Sequence, residues 1–304
     1  MKKHGNKAAK RGKSRVRSGI LQKGNILISS AVDTWKSFIK NIRYSPWIII
    51  ADTLLVISLG FIVGLFKREL MGSAVKITAF LSQNQQLLSS AGSGAESFKG
   101  LADSPIFAGA YGSLMGSFYK IALFAMLAWI IFQGISWCFS YVMKAEISNA
   151  KGFFRLYSRF ALYTIAGAAV ICLISFGLIR SIFSIIFNLQ TTVSLLTVQW
   201  ISYAMMAFVA YILLVAYSAL NSPVKKTLKL AFAKIHILLP LFAAIIIFLF
   251  LINWISSLAI LPLAGIIGMK IALVIALFIM LVLLLLARLY SMEFSGRLIQ
   301  RQER

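Results

Sequence analysis

"IALVIALFIMLVLLLLA", Ile271–Ala287, carries no polar side chain and stands between Lys270 and Arg288. Wound as a helix at about 1.5 Å per residue, the interval between the two cations measures ~27 Å. A bilayer's hydrocarbon core is about 30 Å thick, and a basic side chain at either end can snorkel to the interface. The stretch therefore reads as a transmembrane helix. Its continuity decides the fold class, because barrel strands alternate apolar with polar residues and lipid demands that backbone groups pair within a helix.

The same reading predicts an all-α, polytopic helix bundle with six spans, near residues 46–66, 119–143, 160–179, 195–217, 237–262 and 267–289. Composition agrees. Of 304 residues, 60% are hydrophobic and only 13% charged, which no soluble globular domain tolerates. Around the membrane domain at 31–290, a basic arm (1–30), an extracytoplasmic loop (67–118) and a short cytoplasmic tail (291–304) are expected. No cleavable signal peptide is expected, since the first apolar run begins only near Trp47 after a long basic arm.

Charge sets the predicted orientation. Of 31 lysines and arginines, only Lys67, Arg68, Lys76, Lys99, Lys120, Arg180 and Lys270 fall in the alternate segments. All others gather on one side, so both termini are expected in the cytoplasm of a cell-membrane protein.

Three of the basic segments are amphipathic. In "SPVKKTLKLAFAKIH" a stripe of Val224, Leu228, Ala231 and Ile235 is set apart from Lys225, Lys226 and Lys229. In "AVDTWKSFIKNIRYSPW" the stripe is Val32, Trp35, Ile39 and Ile42, against Lys36, Lys40 and Arg43. In "AKGFFRLYSRFAL" Lys151, Arg155 and Arg159 recur at helical spacing, with Phe153, Phe154 and Tyr157 turned away. An aromatic-x-basic step closes each segment, and each leads into an odd-numbered span. The pattern predicts three units, each a basic surface helix followed by a transmembrane hairpin.

Basic amphipathic segments that introduce successive hydrophobic hairpins resemble several prokaryotic polytopic membrane families. Among them is the membrane region attached to some glycerophosphodiester phosphodiesterases. The resemblance covers most of residues 31–290 and implies architecture alone. The resemblance carries no phosphodiesterase catalytic motif onto these residues, so no catalytic residue is implied.

Anionic lipid headgroups are the expected partners of the nine basic residues named, at about 1 kcal/mol for each cation near the leaflet. A protein partner at the cytoplasmic face is the other candidate. The arm, dense in Lys and Arg and without an acid, is expected to be disordered and suited to nucleic acid, the ribosome or lipid. Asp52 is the one carboxylate inside a predicted span. Close to the expected cytoplasmic boundary, it can reach water or pair with a lysine; the alternative is a buried proton or ion site, in which Gln133, Gln199 and Asn253 could join it in a polar seam. Gly60, Gly64, Gly109, Gly112 and Gly116 read as close-packing positions. Two histidines and two isolated cysteines, Cys138 and Cys172, supply neither a metal cage nor a nucleophile–base set. No enzyme activity and no cofactor is expected. A scaffold or accessory role is the first reading; a small-solute or ion transporter working through the Asp52 seam is the alternative.

Overall fold

Without water to satisfy backbone groups, apolar runs close their hydrogen bonds within the helix, and the described residues of this chain do so. The computed structural model describes residues 26–84, 104–144, 146–147, 149–187 and 195–303. Among them are nine α-helices and no strand. They are α1 (26–40), α2 (Ser45–Gln83), α3 (Pro105–Ala128), α4 (Gly134–Met143), α5 (Ala150–Phe187), α6 (Leu195–Ser218), α7 (Val224–Ala233), α8 (Ile235–Ile267) and α9 (Met269–Glu303). A 3-10 turn, Ile42–Tyr44, separates α1 from α2, and a π turn, Trp129–Gln133, joins α3 to α4. Six of the resulting helical stretches are long and apolar enough to cross a membrane.

Large apolar side chains cover much of the surface, and many small polar ones lie inside. Helix α8 exposes Ile246, Ile247, Phe248, Phe250, Trp254 and Ile255, whereas Ser30, Ser117, Gln133, Ser136, Ser140 and Ser295 are buried. A soluble protein does not present so wide an apolar surface. In lipid the arrangement is natural, because helices associate through small and polar side chains while large apolar ones face the acyl chains. The chain is an integral, multi-pass membrane protein.

It divides into two compact units. Unit 1 comprises residues 1–50, 136–156 and 214–304, and unit 2 comprises 51–135 and 157–213.

Within unit 2, α2 and α3 pack as an antiparallel hairpin whose contacts descend in step. Asp52 meets Gln133, Phe66 stacks on Phe124 at 5.9 Å, Glu69 pairs with Lys120 at 3.4 Å, Ser73 bonds Ser113 at 3.1 Å, and Phe80 meets Phe107 at 5.9 Å. Leu55, Ile62 and Ala128 form its buried centre. The hairpin departs from the expected end of the first span at residue 66. Lys67 and Arg68 mark a polar boundary on the surface of a helix that continues to Gln83. Its 39 residues reach ~58 Å, well beyond the hydrocarbon thickness. Helix α3 starts at Pro105, well before the expected second span at 119, with Ser104 at the N-cap and proline in the first turn, a pairing that favours a helix start. The Ser/Gly-rich middle of the expected loop lies outside the described residues.

The glycines that matter are not those the spacing suggested. A Cβ built on Gly60, Gly64, Gly109, Gly112 or Gly116 meets nothing within 4 Å. On Gly134 it comes within 2.8 Å of the Tyr157 ring and 3.2 Å of Phe160, and on Gly167 within 2.6 Å of Leu213. Spacing announces a smooth helix face; only packing says which one is used.

In unit 1, α8 and α9 form a hairpin around Gly268, whose φ of +86° only glycine adopts without strain. Helix α7 touches both. The C-terminal part of α9 buries Leu285, Leu289, Met292, Phe294 and Leu298. Residues 291–303, expected as a tail, are thus the packed end of α9. The apolar run upstream hid that continuation, because the amphipathic turns after it are too few to stand out.

Candidate membrane-surface site

The three basic segments form different local structures. The first is α1 itself, ended at Asn41 (φ −119°, ψ 25°) before the 3-10 turn. The last is α7, ended at Lys234 with nearly the same backbone angles (φ −117°, ψ 21°). The middle one is no separate helix: 150–162 are the first turns of the 38-residue α5. Residues 26–30, assigned to the arm by sequence, are already helical in α1, while the arm's disorder and its nucleic-acid role concern residues 1–25, outside the described residues.

Each segment nevertheless has three faces. In α1, Ser30 and Thr34 are buried, Ile28, Val32, Trp35 and Ile39 are exposed, and Lys36 and Lys40 lie between. In α7, Thr227, Leu230 and Ala231 are buried, Val224, Leu228 and Phe232 exposed, and Lys225, Lys226 and Lys229 form the third face. At the start of α5, Leu156 and Phe160 are buried and Phe154 is 70% exposed, while Lys151 and Arg155 are exposed and Arg159 half-buried. At ~100° per residue the order around all three is the same: apolar and exposed, then basic, then buried. The expected apolar stripe of α1 stays exposed as one face, whereas that of α7 splits because one flank docks on protein. Ala231 points inward while Val224 and Leu228 do not.

Acids close to these segments are engaged internally. Lys144 Nζ contacts Glu146 at 2.6 Å and Glu293 at 3.3 Å, and Arg297 Nε bonds Glu293 at 3.0 Å. The Arg297 guanidinium also donates to Asp33 and Ser29 of α1. This network ties α1 to the end of α9. Its one legible element is the Glu293/Arg297 pair at i, i+4; its long-range members have no sequence signal.

Nearby, three helix ends of unit 1 enclose a groove of about 460 Å³. Arg43 and Tyr44 line it from the turn before α2, Phe139 from α4, and Asn149, Phe153 and Phe154 from the start of α5. Asn41 fixes one wall, donating from Nδ2 to the Met143 carbonyl at 2.6 Å and so capping the end of α4.

Deeper in unit 1, Tyr141 Oη accepts from the Leu220 amide at 2.8 Å and donates to the Tyr217 carbonyl at 3.2 Å. It thereby satisfies backbone groups left over where α6 ends. Arg288, only 4% exposed, lies over the Trp137 ring at 5.3 Å. None of these three contacts was anticipated.

Of the proposed polar seam, Asp52 and Gln133 come together. Gln133 Nε2 donates to Asp52 Oδ1 at 2.9 Å, and both residues are buried. Gln133 closes the π turn, a wide turn that often re-aims a side chain at a functional position. A carboxylate at the centre of a span costs about 2.5–3.5 kcal/mol and less toward an end, and a hydrogen bond to a charged group, worth about 1.5–3 kcal/mol, offsets part of such a cost. Gln199 is half-buried on α6 and makes no hydrogen bond among the described residues. Asn253 is exposed on α8, where its carbonyl accepts from Ser257.

No family model, no curated protein and no solved structure matches the chain.

Proposed function

We propose that this is a non-catalytic scaffold or accessory protein of the cell membrane, held against an anionic leaflet by its basic segments. The carrying observation is the three-faced organisation of α1, α7 and the start of α5. A segment with one flank on protein, one apolar flank open and a basic flank between suits the boundary between acyl chains and headgroups. In this reading the three segments head three hairpin units, both termini are cytoplasmic, and a cytoplasmic protein partner shares the basic face. The similar backbone breaks at Asn41 and Lys234 support kinship between the first and third units.

The test replaces Lys225, Lys226 and Lys229 together with glutamine. At about 1 kcal/mol per basic residue, the phosphatidylglycerol enrichment of co-extracted lipid, read by mass spectrometry, is expected to fall sharply. Unchanged enrichment would remove the basic segments from the function.

A second reading, ion or small-solute transport, is favoured by the buried Asp52–Gln133 pair at the π turn. It expects saturable flux in proteoliposomes that Asp52→Asn abolishes while insertion stays intact. Flux that survives the substitution removes Asp52 from any such mechanism.

A further inference from the structure

We propose that the groove formed by the ends of α2, α4 and α5 holds the headgroup of one anionic glycerophospholipid. Its phosphate sits against Arg43 and the first turn of α5, and its acyl chains run outward along Phe153 and Phe154. The inference rests on the reading that the basic segments face an anionic leaflet, and it names the molecule they hold.

Charge favours an anion. Arg43 is the charged side chain among the described residues that line the groove, and none of those residues carries a carboxylate. Glu146, close by in sequence, is held by Lys144 at 2.6 Å. The Arg43 guanidinium is oriented by Tyr44, lying 4.9 Å from the ring centroid and donating to its hydroxyl at 3.1 Å. That arrangement leaves a planar fork of donors suited to phosphate. Helix α5 begins at the groove: Asn149 Oδ1 accepts from the Gly152 amide at 2.8 Å, and Ala150 lines the wall. The earliest amides of a helix have no acceptor within it and carry the positive end of its dipole.

A soluble anion would leave the other half of the groove unexplained. Phe139 meets Phe153 edge-on at 5.5 Å, Phe153 meets Phe154 at 6.3 Å, and Phe154 is 70% exposed. An aromatic wall running outward from a phosphate-sized polar end matches an amphiphile. Position agrees as well, since helical stretches long and apolar enough to cross a membrane begin at Ile42 and Ala150 and another ends at Met143. With these ends on one membrane face, as the proposed function has them, the groove opens toward the headgroups.

The test uses the full chain in phosphatidylcholine nanodiscs doped with phosphatidylglycerol bearing a photoactivatable acyl chain. Crosslinks are expected on the peptide containing Phe153 and Phe154, with a yield that inorganic phosphate does not reduce. Arg43→Gln is expected to lower the yield roughly tenfold, the worth of one charge-assisted contact, and Arg43→Lys to restore part of it. Phe154→Ser, which keeps the charge, is expected to lower it as well and serves if the arginine variants fail to fold. Crosslinking insensitive to both positions, or displacement by inorganic phosphate alone, overturns the proposal. The glutamine triple variant of α7 separates the two claims. If it depletes the lipid shell while Arg43→Gln leaves the crosslink intact, the groove assignment fails and the surface reading stands. If Arg43→Gln removes the crosslink while the triple variant leaves the shell unchanged, the reverse holds.

Discussion

In unit 1, polar side-chain contacts gather near the helix ends. Tyr141 holds the end of α6, Asn41 caps α4, and Arg297 joins α1 to α9. In unit 2 the long α2–α3 hairpin is held along its length mainly by aliphatic and aromatic contacts, joined by the Glu69–Lys120 and Ser73–Ser113 pairs, with Asp52 and Gln133 paired near one end. The contrast follows from where backbone groups lie unsatisfied. A helix in lipid closes its own hydrogen bonds except at its termini, so that is where side-chain donors and acceptors earn a place. Along the shaft, shape matters instead, and a smooth or bulky residue decides how closely two helices approach.

The sharpest way to break this contrast is to fill a contact along the shaft. Gly134→Leu drives a side chain into the Tyr157 and Phe160 rings and is expected to destabilise by about 3 kcal/mol, the upper range for overpacking. The same change at Gly60, which faces nothing within 4 Å, is expected to cost under about 0.5 kcal/mol. Thermal unfolding in detergent, followed by circular dichroism, compares the two; equal effects would mean that glycine contacts do not organise unit 2. At a helix end, Tyr141→Phe removes a hydroxyl that serves both Leu220 and Tyr217. Leaving buried backbone groups unmet should cost about 2 kcal/mol, visible as a lower melting temperature and faster hydrogen exchange at the end of α6. A variant that melts like the parent would show that water replaces the hydroxyl. Smallest is the ion network. Arg297 and Glu293 keep side-chain exposures of 26% and 18%, so solvent screens part of their attraction. Arg297→Gln is expected to cost about 1 kcal/mol, with a difference from the parent that shrinks as salt rises. A salt-independent loss would assign the effect to packing of α1 rather than to charge.

Much of the architecture could be read from residues alone. Ile271–Ala287 has no alternative to a membrane-spanning helix, and Ser104-Pro105 announces the start of α3. Helix ends and glycine contacts were harder to place. Lys67 and Arg68 looked like a terminus because charge leaves the bilayer there, yet an α-helix continues readily through water. The three basic segments were visible through their spacing, but their inward flanks were not, since α7 docks on α8 and α9 and α1 is bonded to Arg297, partners set elsewhere in the chain.

Hydropathy and charge, properties summed over many residues of one segment, by themselves determined the helical class, the six apolar crossings and the positions of the basic faces. Tertiary structure alone decided that Asp52 meets Gln133, that Arg297 reaches Asp33, that Gly134 rather than Gly60 is a close contact, and that Arg43 lines a groove with three phenylalanines. Each of these depends on the register between helices distant in sequence. A shift of one residue turns a helix by about 100°, and no local pattern records that rotation.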